Sequence, residues 1–223
     1  MEQELIKEEK ILRKLKLSMI DNVSLTRNMS FVSRIVASVH TVVLQDIYLG
    51  MADWKVLDEQ LSKKEKILAK LEFSQILGVD EETVQSIARC ISKVQQVRLT
   101  SFCSLSIFWA ALSVAFEAED IQLKILELVS ISVDEDSAEA FGACVTKVAE
   151  VKMEKMKMKN SWMILIDNLS CDKVLLEELY LTECWPEDTV VDELKKLNKF
   201  IFKQSEEEFT LNNNCIVLTR KSE

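Results

Sequence analysis

The feature that most constrains this chain is a recurring six-residue frame with apolar residues at its first, fourth and sixth positions. Clear examples are LRKLKL at 12–17, VQQVRL at 94–99 and LEELYL at 176–181. Eight frames begin at residues 12, 39, 68, 94, 123, 148, 176 and 197, so successive starts lie 21 to 29 residues apart. A single frame arises easily by chance, but eight near-periodic frames indicate a repeat architecture.

Each repeat combines a strand signal with a helix signal. The end of each frame alternates as a β-strand does, whereas the second half of the repeat has helical spacing, as in Val84, Ile87 and Ile91. Carboxylates at 80–82 and 134–136 stand where helices would begin, which suits the positive end of a helix. Because one such unit cannot bury its own apolar side, we predict an α/β solenoid with a parallel sheet inside and helices outside.

The repeats define three segments of the chain. Residues 12–202 are predicted to form about seven repeats and a terminal strand. Residues 1–11 are charged and amphipathic, which predicts an N-terminal helical cap. Residues 203–223 are predicted to be a C-terminal cap or tail, with a last strand at 215–218. The final step of 21 residues is short, as expected of an atypical terminal unit.

The frame followed by a helical half-repeat resembles the ribonuclease-inhibitor-like leucine-rich repeats. The best matches are the frames that begin at residues 12, 39, 68, 94 and 176. The usual signature places Asn or Cys shortly after the frame, but this chain has apolar residues there, such as Ile47 and Phe102, and only Cys184 matches. That irregularity is most similar to the C-terminal repeats of NLR innate immune receptors. The resemblance implies a horseshoe that binds other proteins with its concave, curved sheet.

Composition excludes several other functions. The net charge of −9 argues against nucleic acids and anionic membranes as partners. Three glycines, Gly50, Gly78 and Gly142, cannot build a phosphate-binding loop, and His40 is the only histidine. We therefore expect no metal or cofactor and no enzymatic activity. The alternative is a regulator of a small GTPase, similar to Ran GTPase-activating proteins, or another leucine-rich-repeat adaptor.

The six cysteines indicate a reducing compartment. They include no C-x-x-C pair, so free thiols are expected rather than a zinc site. The first ten residues lack the apolar core of a signal peptide, and the most apolar window, 97–116, is too polar and too short to span a membrane. We expect a cytoplasmic protein that is monomeric in isolation.

The predicted binding surface lies at the C-terminal end of the repeats. Outward strand positions mix both signs of charge with apolar groups, and Tyr180 faces out because Leu179 and Leu181 must face the core. Between residues 176 and 194 there are many carboxylates and no basic residue, which favours a basic protein partner. The predicted contact residues are Glu150, Glu178, Tyr180 and Glu183, with Trp185 at the rim.

Overall fold

The computed structural model describes residues 13–18, 35–36, 38–47, 49–63, 68–76, 79–102, 106–117, 121–158, 160–206 and 214–221. The strands are β1 Lys14–Ser18, β2 Thr41–Gln45, β3 Lys70–Ser74, β4 Gln96–Thr100, β5 Ile125–Val129, β6 Glu150–Glu154, β7 Glu178–Thr182, β8 Phe200–Glu206 and β9 Asn214–Arg220. The helices are α1 Met51–Leu61, α2 Glu81–Ser92, α3 Ser106–Ala115, α4 Glu135–Thr146, α5 Ser161–Ser170 and α6 Asp188–Lys196. The N-terminal cap predicted at 1–11 lies outside the described residues.

The strands form one nine-stranded sheet that is not closed into a barrel. Its order is β1-β2-β3-β4-β5-β6-β7-β9-β8, and the first seven strands pair in parallel. From β2 to β8, a described helix lies between each strand and the next along the chain. The predicted α/β class and parallel pairing are confirmed for these seven strands.

The frames predict the register of the parallel strands. Each of β1 to β7 begins at the third position of its frame, and equivalent frame positions pair across every neighbouring strand. Fourth-position residues of β2 to β7, such as Val42 and Leu179, have no exposed surface. Third- and fifth-position residues face the opposite side, because successive strand side chains alternate.

The eighth frame departs from the predicted all-parallel sheet. β9 lies between β7 and β8 and pairs antiparallel with both. Ile201, which the frame assigned to the row of Tyr180, instead pairs with Thr219 and thereby joins the row of Glu178. The reason is that β9 turns Ile216 and Leu218 into the core while its backbone bonds both neighbours.

Aromatic side chains link the helices to the sheet. Six rings contact one another in sequence, with centroids 4.7 to 6.4 Å apart. Trp54, Trp109 and Trp162 are all buried, and so are Met153, Met156 and Met158. The ring sequence is Trp54, Phe73, Phe102, Phe108, Trp109 and Phe141.

From residue 39 to residue 147, repeats that carry a buried tryptophan alternate with repeats that carry a buried cysteine. Cys90 Sγ donates to the Trp54 carbonyl at 3.8 Å, and Cys144 Sγ donates to the Trp109 carbonyl at 3.5 Å. The repeats that start at 39 and 94 carry the tryptophans and are 29 residues long, while those that start at 68 and 123 carry the cysteines and are 26 and 25 long. The true structural period over this region is therefore two repeats.

The predicted helix starts are confirmed. Asp80 caps α2 by accepting hydrogen bonds from the backbone amides of Glu82 and Thr83, and these bonds lower the pKa of Asp80, those from Thr83 most. Asp134 caps α4 by accepting from the Ser137 amide at 2.9 Å. Both side chains satisfy backbone donors that the first helical turn leaves without partners.

The residue after each strand from β2 to β7 adopts a left-handed backbone conformation with φ between 47 and 54°. From β2 to β6, the amide of this residue donates to the last residue of the next strand, as Gln75 does to the Thr100 carbonyl at 3.3 Å. The left-handed turn therefore extends the sheet's hydrogen bonding past the strand ends. The residues are Asp46, Gln75, Ser101, Ser130, Lys155 and Glu183.

Candidate protein-binding face

One face of the sheet carries the predicted contact residues. We call it the open face: the third, fifth and seventh frame positions of β1 to β7, together with the residues of β9 and β8 that share their rows. Core-facing strand residues pack with helical residues on the other side of the sheet in a single cluster. Most open-face side chains of β3, β4, β6 and β7 are half-buried, because each is flanked by its row neighbours.

A chain of ion pairs crosses the open face. It links β3 to the turn after β7 through alternating charges, with oxygen–nitrogen distances between 3.0 and 3.9 Å. Exposed pairs of this kind each contribute little to stability, but a network orients its members together. Its order is Glu72, Lys70, Glu127, Arg98, Glu154, Lys155 and Glu183.

Glu127 has two basic partners in this chain and was not among the predicted contact residues. Only 8% of its surface is exposed. Its carboxylate accepts from Gln96 Nε2 at 2.6 Å and Arg98 Nη1 at 3.0 Å, with Lys70 Nζ at 3.9 Å. Such a buried charge is tolerated only when paired and hydrogen-bonded. The frame register could have identified it, since Arg98 and Glu127 hold the same frame position in neighbouring repeats.

A second cluster surrounds Tyr180. Its hydroxyl donates to Glu178 Oε2 at 2.6 Å, and Lys152 Nζ lies 5.6 Å from the centroid of its ring. The hydrogen bond to Glu178, followed by burial and the negative charges of Glu178 and Glu150, raises the pKa of Tyr180 to about 12. The same hydrogen bond fixes the orientation of the Glu178 carboxylate relative to the ring.

The predicted absence of balancing charge is wrong for two of the three acidic residues. Glu150 Oε1 lies 2.7 Å from Lys152 Nζ, and Glu183 Oε2 lies 3.6 Å from Lys155 Nζ. Both lysines come from β6 and the turn after it, outside the stretch that lacks basic residues. Parallel pairing places consecutive repeats side by side, so local sequence composition does not give local surface charge.

The structure separates the predicted contact residues into two groups. Glu150, Glu178 and Tyr180 lie together on the open face, and Glu150 and Glu178 are direct register partners. Glu183 and Trp185 follow β7 at the carboxyl-terminal rim of the sheet. Trp185 is 59% exposed and, like Glu183, has a left-handed backbone, with φ of 47°.

A recess of about 190 Å³ lies between these groups. Val129, from β5, is 8% exposed and contributes apolar surface, while Tyr180 and Thr182 line the side toward β7. Arg98 and Lys152 also line the recess. It therefore combines an apolar surface with polar groups whose positions the ion pairs hold.

Of the five cysteines in the described part of the chain, three are buried, Cys171 is exposed and Cys215 is half-buried. The five described cysteines are free, as predicted, whereas Cys103 lies outside the described residues. Burial raises the pKa of Cys90 and Cys144, and it raises that of Cys184 to about 11. His40 is exposed with Nδ1 3.3 Å from Thr41 Oγ1, and the described residues hold no group of three metal-ligating side chains.

Cys184 occupies the place that the leucine-rich-repeat signature gives to Asn or Cys. Its Sγ donates to the Met153 carbonyl at 3.3 Å, which ties the turn after β7 to the preceding strand. In the other repeats this place is filled by buried apolar side chains, such as Ile47 and Ile131. The predicted replacement of a polar turn by apolar packing is therefore confirmed for the described repeats.

No helix among the described residues is both long and apolar enough to cross a membrane. No protein-family model and no curated protein matches the sequence.

Proposed function

We propose that this chain is a leucine-rich-repeat solenoid that binds another protein through the open face of its sheet. The observation that carries the proposal is the register of β1 to β7, which stacks equivalent outward positions into continuous rows. Rows of that kind present a broad, preformed surface built on rigid strands. Stacked repeats commonly use such extended surfaces to bind proteins.

The chemistry of the open face supports this function. Interface centres favour aromatic and apolar anchors together with arginine, and Tyr180, Ile125, Val129 and Arg98 provide them here. The ion-pair chain positions its charged groups before a partner arrives, which lowers the ordering cost of association. We further propose that the module acts in the cytoplasm as a sensor like the NLR receptor repeats, without catalytic activity.

Site-specific photocrosslinking tests the proposal. A benzoylphenylalanine at position 152 would place the reactive group on the open face, whereas one at position 55 would place it on the exposed side of α1. We expect the first variant to crosslink a discrete protein in cells, and the purified partner to bind the wild-type chain. Crosslinks obtained only from position 55 would show that the partner binds the helices rather than the open face, which would overturn the proposal.

The same experiment addresses the GTPase-regulator alternative. If the captured partner is a small GTPase, its rate of GTP hydrolysis is measured with and without the purified chain. An unchanged rate supports a binding module, whereas acceleration would contradict the absence of catalytic function.

A further inference from the structure

Two pairs of carboxylates flank the recess on the open face. Glu150 and Glu178 are register partners at its amino-terminal side. Glu154 and Glu183 share Lys155 at its carboxyl-terminal side, with their oxygens 3.4 and 3.6 Å from Nζ. Glu150 and Glu154 are four residues apart on one strand, so the two pairs are about 13 Å apart along the strand direction.

The surface between the two pairs suits an apolar group. Val129 and the ring of Tyr180 line the recess, whose volume of about 190 Å³ accommodates one bulky side chain. Tyr180 is held by its hydrogen bond to Glu178 and by Lys152 over its ring. An incoming apolar side chain therefore meets a fixed aromatic wall rather than a mobile one.

The charge around the recess is negative despite the internal pairing. Five carboxylates, at 127, 150, 154, 178 and 183, surround four basic side chains, those of Lys70, Arg98, Lys152 and Lys155, which leaves a net charge of −1. Glu178 has Tyr180 as its hydrogen-bond donor and contacts no basic side chain in the described region. Exposed ion pairs are weak, so an incoming cation can compete for the carboxylates.

We propose that this part of the open face docks an extended segment of the partner that carries basic, apolar and basic residues at alternate positions. In an extended chain, residues two apart point the same way and lie about 6.6 Å apart, so three alternate residues span the 13 Å between the carboxylate pairs. The central side chain enters the recess while the outer two reach one carboxylate pair each. This inference rests on the proposed use of the open face.

The test selects peptides from a random display library on the immobilised full-length chain. We expect enrichment of sequences in which Lys or Arg, an apolar residue, and Lys or Arg occupy alternate positions. A selected peptide, labelled with a fluorophore, is then titrated with each variant by polarisation. Tyr180→Ala should weaken binding about tenfold or more, since truncating a central interface aromatic commonly costs 1.4 kcal/mol or more.

Charge variants locate the outer contacts. Glu178→Gln and Glu154→Gln should each weaken binding several-fold and reduce its dependence on salt. Glu139→Gln, on the exposed side of α4, is the matched control and should leave the affinity unchanged. Circular dichroism of each variant confirms that the fold is retained, and Tyr180→Phe keeps the ring should Tyr180→Ala fail to fold.

Three outcomes would overturn the inference. They are enrichment of acidic or unpatterned peptides, no enrichment at all, and peptides of the expected pattern that bind Tyr180→Ala, Glu178→Gln and Glu154→Gln as tightly as wild type. If position 152 crosslinks a partner but any of these results is obtained, the open face still binds a protein. The proposed basic, apolar, basic motif would then be wrong. Loss of both crosslinking and peptide binding would remove the two proposals together.

Discussion

The two faces of the sheet are built from the same strands but follow different physical rules. The core face is nearly uniform: its fourth and sixth frame positions are aliphatic or aromatic in every strand from β1 to β7, and from β2 onward they are buried. The open face mixes lysine, glutamate, arginine, tyrosine and isoleucine at equivalent positions. Burial against helices selects for apolar volume, whereas an exposed row tolerates any side chain whose neighbours can pair with it.

This difference indicates that the core face determines stability and the open face determines binding. Removing core-face atoms creates cavities in a close-packed interior, and the cost is large. Changing exposed open-face residues disturbs ion pairs that solvent partly screens, and the cost is small, whereas the buried Glu127 and its partners are an exception. We therefore expect mutations of the core face to unfold the chain and mutations of exposed open-face residues to alter binding alone.

The largest expected effect on the free energy of unfolding comes from comparing substitutions of two tryptophans. Trp109 has no exposed surface and makes edge-to-face contacts with Phe108 and Phe141, whereas Trp185 is mostly exposed at the rim. Trp109→Ala should lower the free energy of unfolding by about 3–5 kcal/mol. Trp185→Ala should change it by less than about 0.5 kcal/mol. Urea denaturation measures both, and a comparable loss in Trp185→Ala would contradict the exposed rim position.

The next largest effect is expected where α4 and α5 approach closely, at Gly142 and Asn168. A Cβ added at Gly142 would lie 2.7 Å from Asn168 Nδ2 and 2.8 Å from Asn168 Cγ, so α4 and α5 would have to separate or the side chain move. Gly142→Ala should therefore cost about 1–3 kcal/mol in the free energy of unfolding.

A double-mutant cycle isolates that contact. In an Asn168→Ala background the added methyl meets no amide, but the Cβ of residue 168 stays 3.1 Å away. The cost of Gly142→Ala should therefore fall clearly in this background, helped by alanine's better helix propensity, without having to vanish. Equal costs in both backgrounds would show that Asn168 is not the obstacle. The free energies come from denaturation of the four chains under identical conditions.

The core face could be predicted from sequence because one physical signal, apolar periodicity, specifies it. The frames predicted the register of seven strands. They failed at β8, since periodicity does not reveal that the later strand β9 competes for the edge of β7. They also missed the balancing lysines beside Glu150 and Glu183, because surface charge depends on which repeats become neighbours.

A smaller, stabilising effect is expected in the left-handed turns that follow the strands. Gln75 is exposed and has φ of 51°, a conformation that costs a residue with a side chain roughly 1–2 kcal/mol. Glycine adopts it freely but loses about 0.5–1 kcal/mol in chain entropy. Gln75→Gly should therefore raise the free energy of unfolding by up to about 1 kcal/mol. Gln95→Gly, at an exposed position without positive φ, is the control and should lower it.

The smallest effect distinguishes how the two faces perturb ionisable groups. In the helices that cover the core face, burial is the main cause that raises the pKa of Cys90 and Cys144. On the open face, the hydrogen bond to Glu178 is the main cause that raises the pKa of Tyr180 to about 12. Glu178→Gln removes the negative charge that a deprotonated Tyr180 would face, so the pKa of Tyr180 should fall toward its ordinary value of 10.

The titration is followed by phenolate absorbance in a Tyr48→Phe background, which leaves Tyr180 as the only tyrosine. Because its folded pKa lies above the unfolded value of 10, the folded chain holds this proton more tightly. Its contribution to stability is complete below about pH 10 and is lost as pH rises toward 12. Glu178→Gln should reduce that loss of stability. Glu150→Gln should reduce it less, because Glu150 is a weaker cause of the raised pKa. If the two variants titrate alike, the hydroxyl does not orient Glu178, and the fixed aromatic wall of the recess loses its support.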